Sequence, residues 1–207
     1  VGGSIVVQSK LFGDIIRKMT GDVVSVEVNS NNVTNIKCGN SKFNITGIEA
    51  TEFPEINRFD VEYDITLTQK QLKELVRHTI FAVGTNESKI ILTGCLLEAS
   101  ENNVNMVAVD GFRLAYKKIT CENSAVSGFM GDVSLVIPSK SLNELVKIID
   151  DSDEEIKIYC SEKNIRFEFD NVIFTSRLLE GDYIDYKKII PADYRTTIKT
   201  GVRSFIE

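Results

Sequence analysis

No stretch of this 207-residue chain comes near the roughly 20 consecutive apolar residues that a membrane-crossing helix needs. The chain does not open on the basic, apolar, small-residue pattern of a signal peptide either. Tryptophan is absent, and histidine occurs once, at His78. The four cysteines, Cys38, Cys95, Cys121 and Cys160, are scattered with no CxxC pair. A zinc site or a disulfide framework needs clustered ligands, so buried thiols in a reducing, cytoplasmic setting are expected, with no metal and no cofactor. Basic excess is missing as well: 24 Lys and Arg stand against 30 Asp and Glu, a formal net charge of −6. A protein that grips nucleic acid by charge alone normally has the opposite balance, so any positive surface must lie on one face. There is no Ser/His/Asp order and no glycine-rich phosphate loop. A small hydrolase built on Asp110, or on Asp182 with Asp185, therefore has little support, and no enzymatic activity is expected.

What the chain does have is an internal repeat. "IVVQSKLFGDIIRKM" (Ile5 to Met19) lies over "LVIPSKSLNELVKII" (Leu135 to Ile149), matching Ser9 with Ser139 and Lys10 with Lys140 at an offset of 130. At that offset Ile15 falls on Leu145, Val26 on Ile156, and "TEFPEI" (Thr51 to Ile56) on "GDYIDY". Each copy reads as strand, helix, three strands. Phe12, Ile15, Ile16 and Met19 recur at helical spacing, with Ser9 as the expected N-cap. "VVSVEV", "VTNIKC" and "KFNITGI" then alternate between Asn/Gly turns as strands do. The stretch between the copies has the same order, with Thr68 capping a helix whose face is Leu72, Leu75, Val76, Thr79 and Ile80.

The expected domains are 1–56 as the second half of one unit, 57–191 as a complete unit of two pseudo-repeated halves, and 192–207 as the start of a third. Val1 in place of a start methionine, and an apparent helix beginning in "TTIKTGVRSFIE", add the expectation of a segment cut from a longer chain.

If the apolar helix faces pack on sheets, the opposite faces carry basic stripes. Lys10 and Arg17 share one face, Lys140 and Lys147 the equivalent one, and Lys70, Lys73 and Arg77 follow on the middle helix. Lysines on solvated faces are common; the sharper expectation is a weak, sequence-blind attraction for phosphates. An i,i+4 ion pair between Lys10 and Asp14 is also expected.

One stretch, "VDGFRLAY" (Val109 to Tyr116), joins two apolar runs. Asp110-Gly111 predicts a two-residue hairpin loop with positive φ at both positions. That leaves the arginine between Phe112 and Leu114 unexplained.

"TLTQKQLKELVRHTIFAVGTNESKIILTGCLLE" (Thr66 to Glu98), "VAVDGFRLAYKK" (Val107 to Lys118) and "FTSRLLEGDYIDYKKIIP" (Phe174 to Pro191) together resemble the bacterial DNA polymerase III β subunit, the replication sliding clamp. The resemblance implies an α+β DNA clamp fold: repeated strand-helix-three-strand units, helices on one face and antiparallel sheets on the other. In that family two chains close into a ring around duplex DNA. The polymerase III α subunit, the clamp loader and repair proteins dock in a hydrophobic groove between the second and third domains through a Gln-Leu-x-Leu-Phe-like peptide. The implied groove residues here are Leu92, Val107, Val109, Gly111, Phe112, Arg113, Leu114, Ile184, Lys188 and Ile189. Phe112 stands where the family has histidine, Val109 where it has threonine and Ile184 where it has proline, so the groove is expected to be more apolar. The residues implied to face DNA are Lys10, Arg17, Lys73, Arg77, Lys140, Lys147 and, in the "GTNES" loop, Asn86. A full-length homodimer and a monomeric fragment are expected, with no membrane partner. The competing expectation is a stand-alone peptide-binding adaptor.

Overall fold

The computed structural model describes residues 2–53, 61–100, 102–121, 126–127 and 133–206. The chain divides into two compact units, Val1–Arg58 and Phe59–Glu207. The expected boundary between residues 56 and 57, and the matched positions 54 to 56, lie outside the described residues.

In the first unit, β1 (Ile5–Val6) leads into α1 (Ser9–Arg17), followed by β2 (Ser25–Val28), β3 (Val33–Cys38) and β4 (Ser41–Thr46) as an antiparallel meander. β5 (Ile48–Glu49) returns to pair with β1. Gln8, not Ser9, occupies the N-cap of α1, and no side chain caps it. Ser9 has already entered the helix, so its hydroxyl cannot serve the first-turn N–H groups from the cap position.

The second unit has two halves of one pattern. The first is β6 (Tyr63–Thr68), α2 (Gln69–Arg77), β7 (Gly94–Ser100), β8 (Asn103–Val109) and β9 (Leu114–Thr120). A short strand, β10 (Val126–Ser127), pairs with β6. The second half is β11 (Val133–Pro138), α3 (Ser139–Ile148), β12 (Glu155–Cys160), β13 (Asn164–Phe169) and β14 (Val172–Arg177), and α4 (Val202–Ile206) lies near the end of the chain. The halves exchange first strands: β6 pairs with β12, and β11 pairs with β7. Two antiparallel sheets result, β10-β6-β12-β13-β14 and β11-β7-β8-β9.

Helix periodicity and strand alternation converge on one core. Leu72, Leu75 and Leu142, Leu145 from the two helices meet Ile65, Leu97, Met106, Ile156, Ile158 and Phe167 from the sheets, all fully buried. Each such aliphatic side chain contributes about 1.5–3 kcal/mol by leaving water. Thr68 caps α2 as expected: its hydroxyl accepts from Gln71 N while the Gln71 side chain accepts from Thr68 N, a reciprocal capping box. α2 stops at Arg77, so buried Thr79 and half-buried Ile80 continue the predicted face beyond the α-helix.

The offset of 130 does not run through the sheets. Ile36 faces Phe43 and Phe167 faces Phe174, so these two residues are equivalent. Val26 faces Ile36 and Ile158 faces Phe167; hence Val26 corresponds to Ile158, not to Ile156. A slip of two residues keeps each side chain on its original face, which is why the sequence comparison conceals it.

Candidate functional site

The outer face of the sheet β11-β7-β8-β9 carries a second, smaller apolar cluster. Leu96, Val107, Val109, Val136 and Tyr186 are buried there, with Ile91, Leu114, Leu179, Tyr183 and Ile184 packed against them. The strand period explains it: Leu96 on β7 and Val107 on β8 are register partners pointing away from the main core. The chain after β14 crosses this face, and its 3-10 turn Tyr186–Lys188 presents Lys188 and Ile189 outward.

The hairpin that borders the cluster differs from its predicted form. Val109 and Leu114 are the last paired residues, so Asp110 to Arg113 make a four-residue connection. Of the two predicted positive-φ positions, only Gly111 has one, at +93°. Asp110 instead acts through its carboxylate, whose Oδ1 accepts from the backbone N–H groups of Phe112 (3.0 Å) and Arg113 (3.1 Å). Aspartate closes turns readily by this local bond, which competes with the two-residue geometry. Arg113 therefore lies in the loop rather than at the start of β9. Its guanidinium donates to Asp110 Oδ2 at 2.8 Å. The Phe112 N–H bond, followed by the bonds and charge of Arg113, outweighs desolvation and holds the Asp110 carboxyl below its ordinary range.

Val107, Val109, Leu114 and Ile184 share this cluster, and Gly111, Phe112 and Arg113 extend from it at the hairpin tip. Phe112 is wholly exposed. Ile189 is half exposed, whereas Leu92 is buried beside Gly84 rather than in the cluster. The expected cationic rim is not bare: Lys188 pairs with Asp185 at 2.9 Å, as Arg113 does with Asp110. Those pairings also occupy two of the three carboxylates considered for hydrolysis. The third, Asp182, lines a cavity of about 510 Å³ with Leu96, Val136, Leu179 and Tyr183.

Tyr183, Tyr186, Glu98, Leu96 and Val136 were missed. Alternation along β7 and β11 marks the aliphatic pair; nothing local marks the tyrosines as packed across the face.

The basic residues are less available than the helical stripe predicts. Lys73 turns inward, its ammonium donating to the Ile149 carbonyl at 2.7 Å, where the end of α3 leaves an acceptor without a helical partner. Arg77 lies 4.0 Å from Asp151, and Lys147 pairs with Glu144 at 2.7 Å. Asp14 pairs with Arg17, not with Lys10, because the i,i+3 guanidinium reaches it at 2.8 Å. Among the described residues Lys10 and Lys140 form no ion pair. The Asn86 side chain accepts from Ser88 N and caps a 3-10 turn. His78 caps the end of α2, its Nδ1 2.9 Å from the Glu74 carbonyl. Among the described residues no group of His, Cys, Asp and Glu is arranged to hold a metal, and burial pushes the Cys95 and Cys160 thiols up to about 12.

A family model described as the DNA polymerase III beta subunit, central domain, matches residues 66–185, and one described as its N-terminal domain matches residues 1–57. The chain belongs to this family. It is 36% identical over 205 residues to beta sliding clamps of Halalkalibacterium halodurans and Bacillus subtilis, covering 99% of this chain and 53% of each relative. The crystal structure of the Bacillus subtilis DNA polymerase sliding clamp is 37% identical and superimposes with a TM-score of 0.83, over 92% of this chain and 49% of that one. The DNA polymerase III beta chain of Streptococcus pneumoniae, 30% identical, gives 0.84 over 94% and 50%. The chain thus spans about half the length of the curated relatives it matches. The expected α+β clamp fold is the one these clamps share. Among the described residues no helix is long and apolar enough to cross a membrane.

Proposed function

We propose that this chain is part of a non-catalytic processivity clamp of the bacterial replicative polymerase. In the full-length homodimer, a ring encircles duplex DNA and slides without reading sequence. Polymerase, clamp loader and repair proteins are held by a short hydrophobic peptide, docked between the Asp110–Arg113 loop and the Tyr183–Ile189 segment.

The observation that supports this reading is the family match along 99% of the chain. Physical chemistry is consistent with it. Each phosphate neutralised adds about 0.9 to the salt slope of binding, so a helix surface whose cations are mostly paired holds DNA weakly and permits movement. Apolar anchors supply most of the energy in peptide docking, which suits a floor of Val107, Val109 and Leu114.

The test is retention of the full-length protein, after loading, on circular against linearised DNA. Retention on closed circles and rapid loss from linear molecules is the expected result. Equal retention on both would remove encirclement and leave the adaptor reading.

A further inference from the structure

The outer face of β7 and β8 contains a defect in its ladder. The paired register ends at Leu96 with Val107, although Cys95 would next meet Ala108, and Gly94 would meet Val109. The Tyr183 hydroxyl occupies the place of the missing rung. It accepts from Val109 N at 3.2 Å and donates to the Gly94 carbonyl at 3.4 Å. A side chain from the crossing segment thus substitutes for a backbone bond at the base of the hairpin loop.

A second tyrosine fixes the same segment one 3-10 turn further on. Tyr186 is buried, its hydroxyl donates to Glu98 Oε2 at 2.5 Å, and its ring lies 5.9 Å from that of Tyr116. Lys187 donates to the other Glu98 oxygen at 3.4 Å. Phenylalanine would fill either apolar position without a hydroxyl to desolvate, and an unpartnered hydroxyl there would be costly. Both hydroxyls are partnered, and every partner belongs to the β7–β8 hairpin.

We propose that Tyr183 and Tyr186 are positioning residues: their hydroxyls lock the Lys188–Ile189 segment to the base of the Asp110–Arg113 loop and so set the spacing between the two walls of the peptide groove. The inference rests on the groove reading given above. Neither hydroxyl is free for a ligand, so the effect on affinity comes from preorganising the walls before the peptide arrives.

The experiment compares full-length wild type with Y183F, Y186F, E98Q and Y186F/E98Q. The probe is a synthetic peptide carrying Leu-Phe, and affinity, melting temperature and backbone amide exchange are read together. Y183F is expected to weaken the peptide about tenfold and to speed exchange at Val109 and Arg113, with core amides of β12 and β13 unchanged. Y186F is expected to weaken it several-fold, and Y186F/E98Q no further than Y186F alone, because both remove one bond. Affinity losses that merely track a fall in melting temperature, with exchange accelerated throughout the core, would overturn the positioning role. Wild-type affinity in both tyrosine variants would overturn this inference while leaving the groove intact. A wild type that does not bind the peptide would overturn both.

Discussion

Two helices written in nearly the same pattern have different surroundings. α3 buries Leu142 and Leu145 completely, whereas α1, whose Ile15 matches Leu145, buries no residue. The strands repeat the contrast. β12 buries Ile156 and Ile158, while every residue of β2 is exposed, Val26 at 49% and Val28 at 47%. In the second unit β6 pairs with β12 along its length and α2 packs beside α3, so one half covers the other. The first unit contains a single strand-helix-three-strand half, and its β1 pairs only with the short β5. Amphipathic spacing therefore specifies which element forms and which face is apolar; a second half decides whether that face leaves water.

The contrast breaks most visibly under truncation. Leu145→Ala is expected to cost about 2–5 kcal/mol, the range for a cavity in a close-packed core. Ile15→Ala at the matched position should cost well under about 1 kcal/mol, as for a site away from the core. Urea unfolding of the 207-residue chain, followed separately in each unit, measures both. Equal losses would mean that α1 is covered in solution as fully as α3.

Acid gives a smaller and sharper comparison, because both units close a turn with a side-chain acceptor. Asn29 Oδ1 accepts from Asn31 N and Val33 N in the first unit, and Asp110 Oδ1 accepts from Phe112 N and Arg113 N in the second. Only the aspartate titrates. Its folded-state pKa is lowered, first by the Phe112 N–H, so its stabilising effect is complete above the unfolded value and fades as pH falls through the folded one. Amide shifts of Phe112 and Arg113 should therefore change with a midpoint below about 3.9, the ordinary aspartate value. Those of Asn31 and Val33 should stay flat. A Phe112 midpoint at or above that value would show that the carboxylate does not hold the loop.

Much of the fold was legible because helix and strand periods are local. The faces of α2 and α3, the Thr68 cap and the three-strand runs follow from neighbouring residues. The strand exchange does not: β6 finds β12 across the whole of the first half, and no local spacing encodes that partner. The same limit explains the site. Val107, Val109 and Leu114 lie in one hairpin and were named from sequence. Tyr183 and Tyr186 act through partners on strands more than seventy positions earlier. Lys73 was placed on a solvated face because helical spacing cannot see a carbonyl at the end of a neighbouring helix. Asp110-Gly111 was read as a two-residue loop because residue preference alone does not reveal which local bond the carboxylate will make.

The most direct test of the account is an amide-shift titration of the full-length protein with the Leu-Phe peptide. Saturable shifts should gather at Leu114, Ile184 and Ile189, while Ile36 and Ile45 in the first unit stay still. Shifts centred on the first unit, or none at Leu114 and Ile189 at saturating peptide, would contradict it.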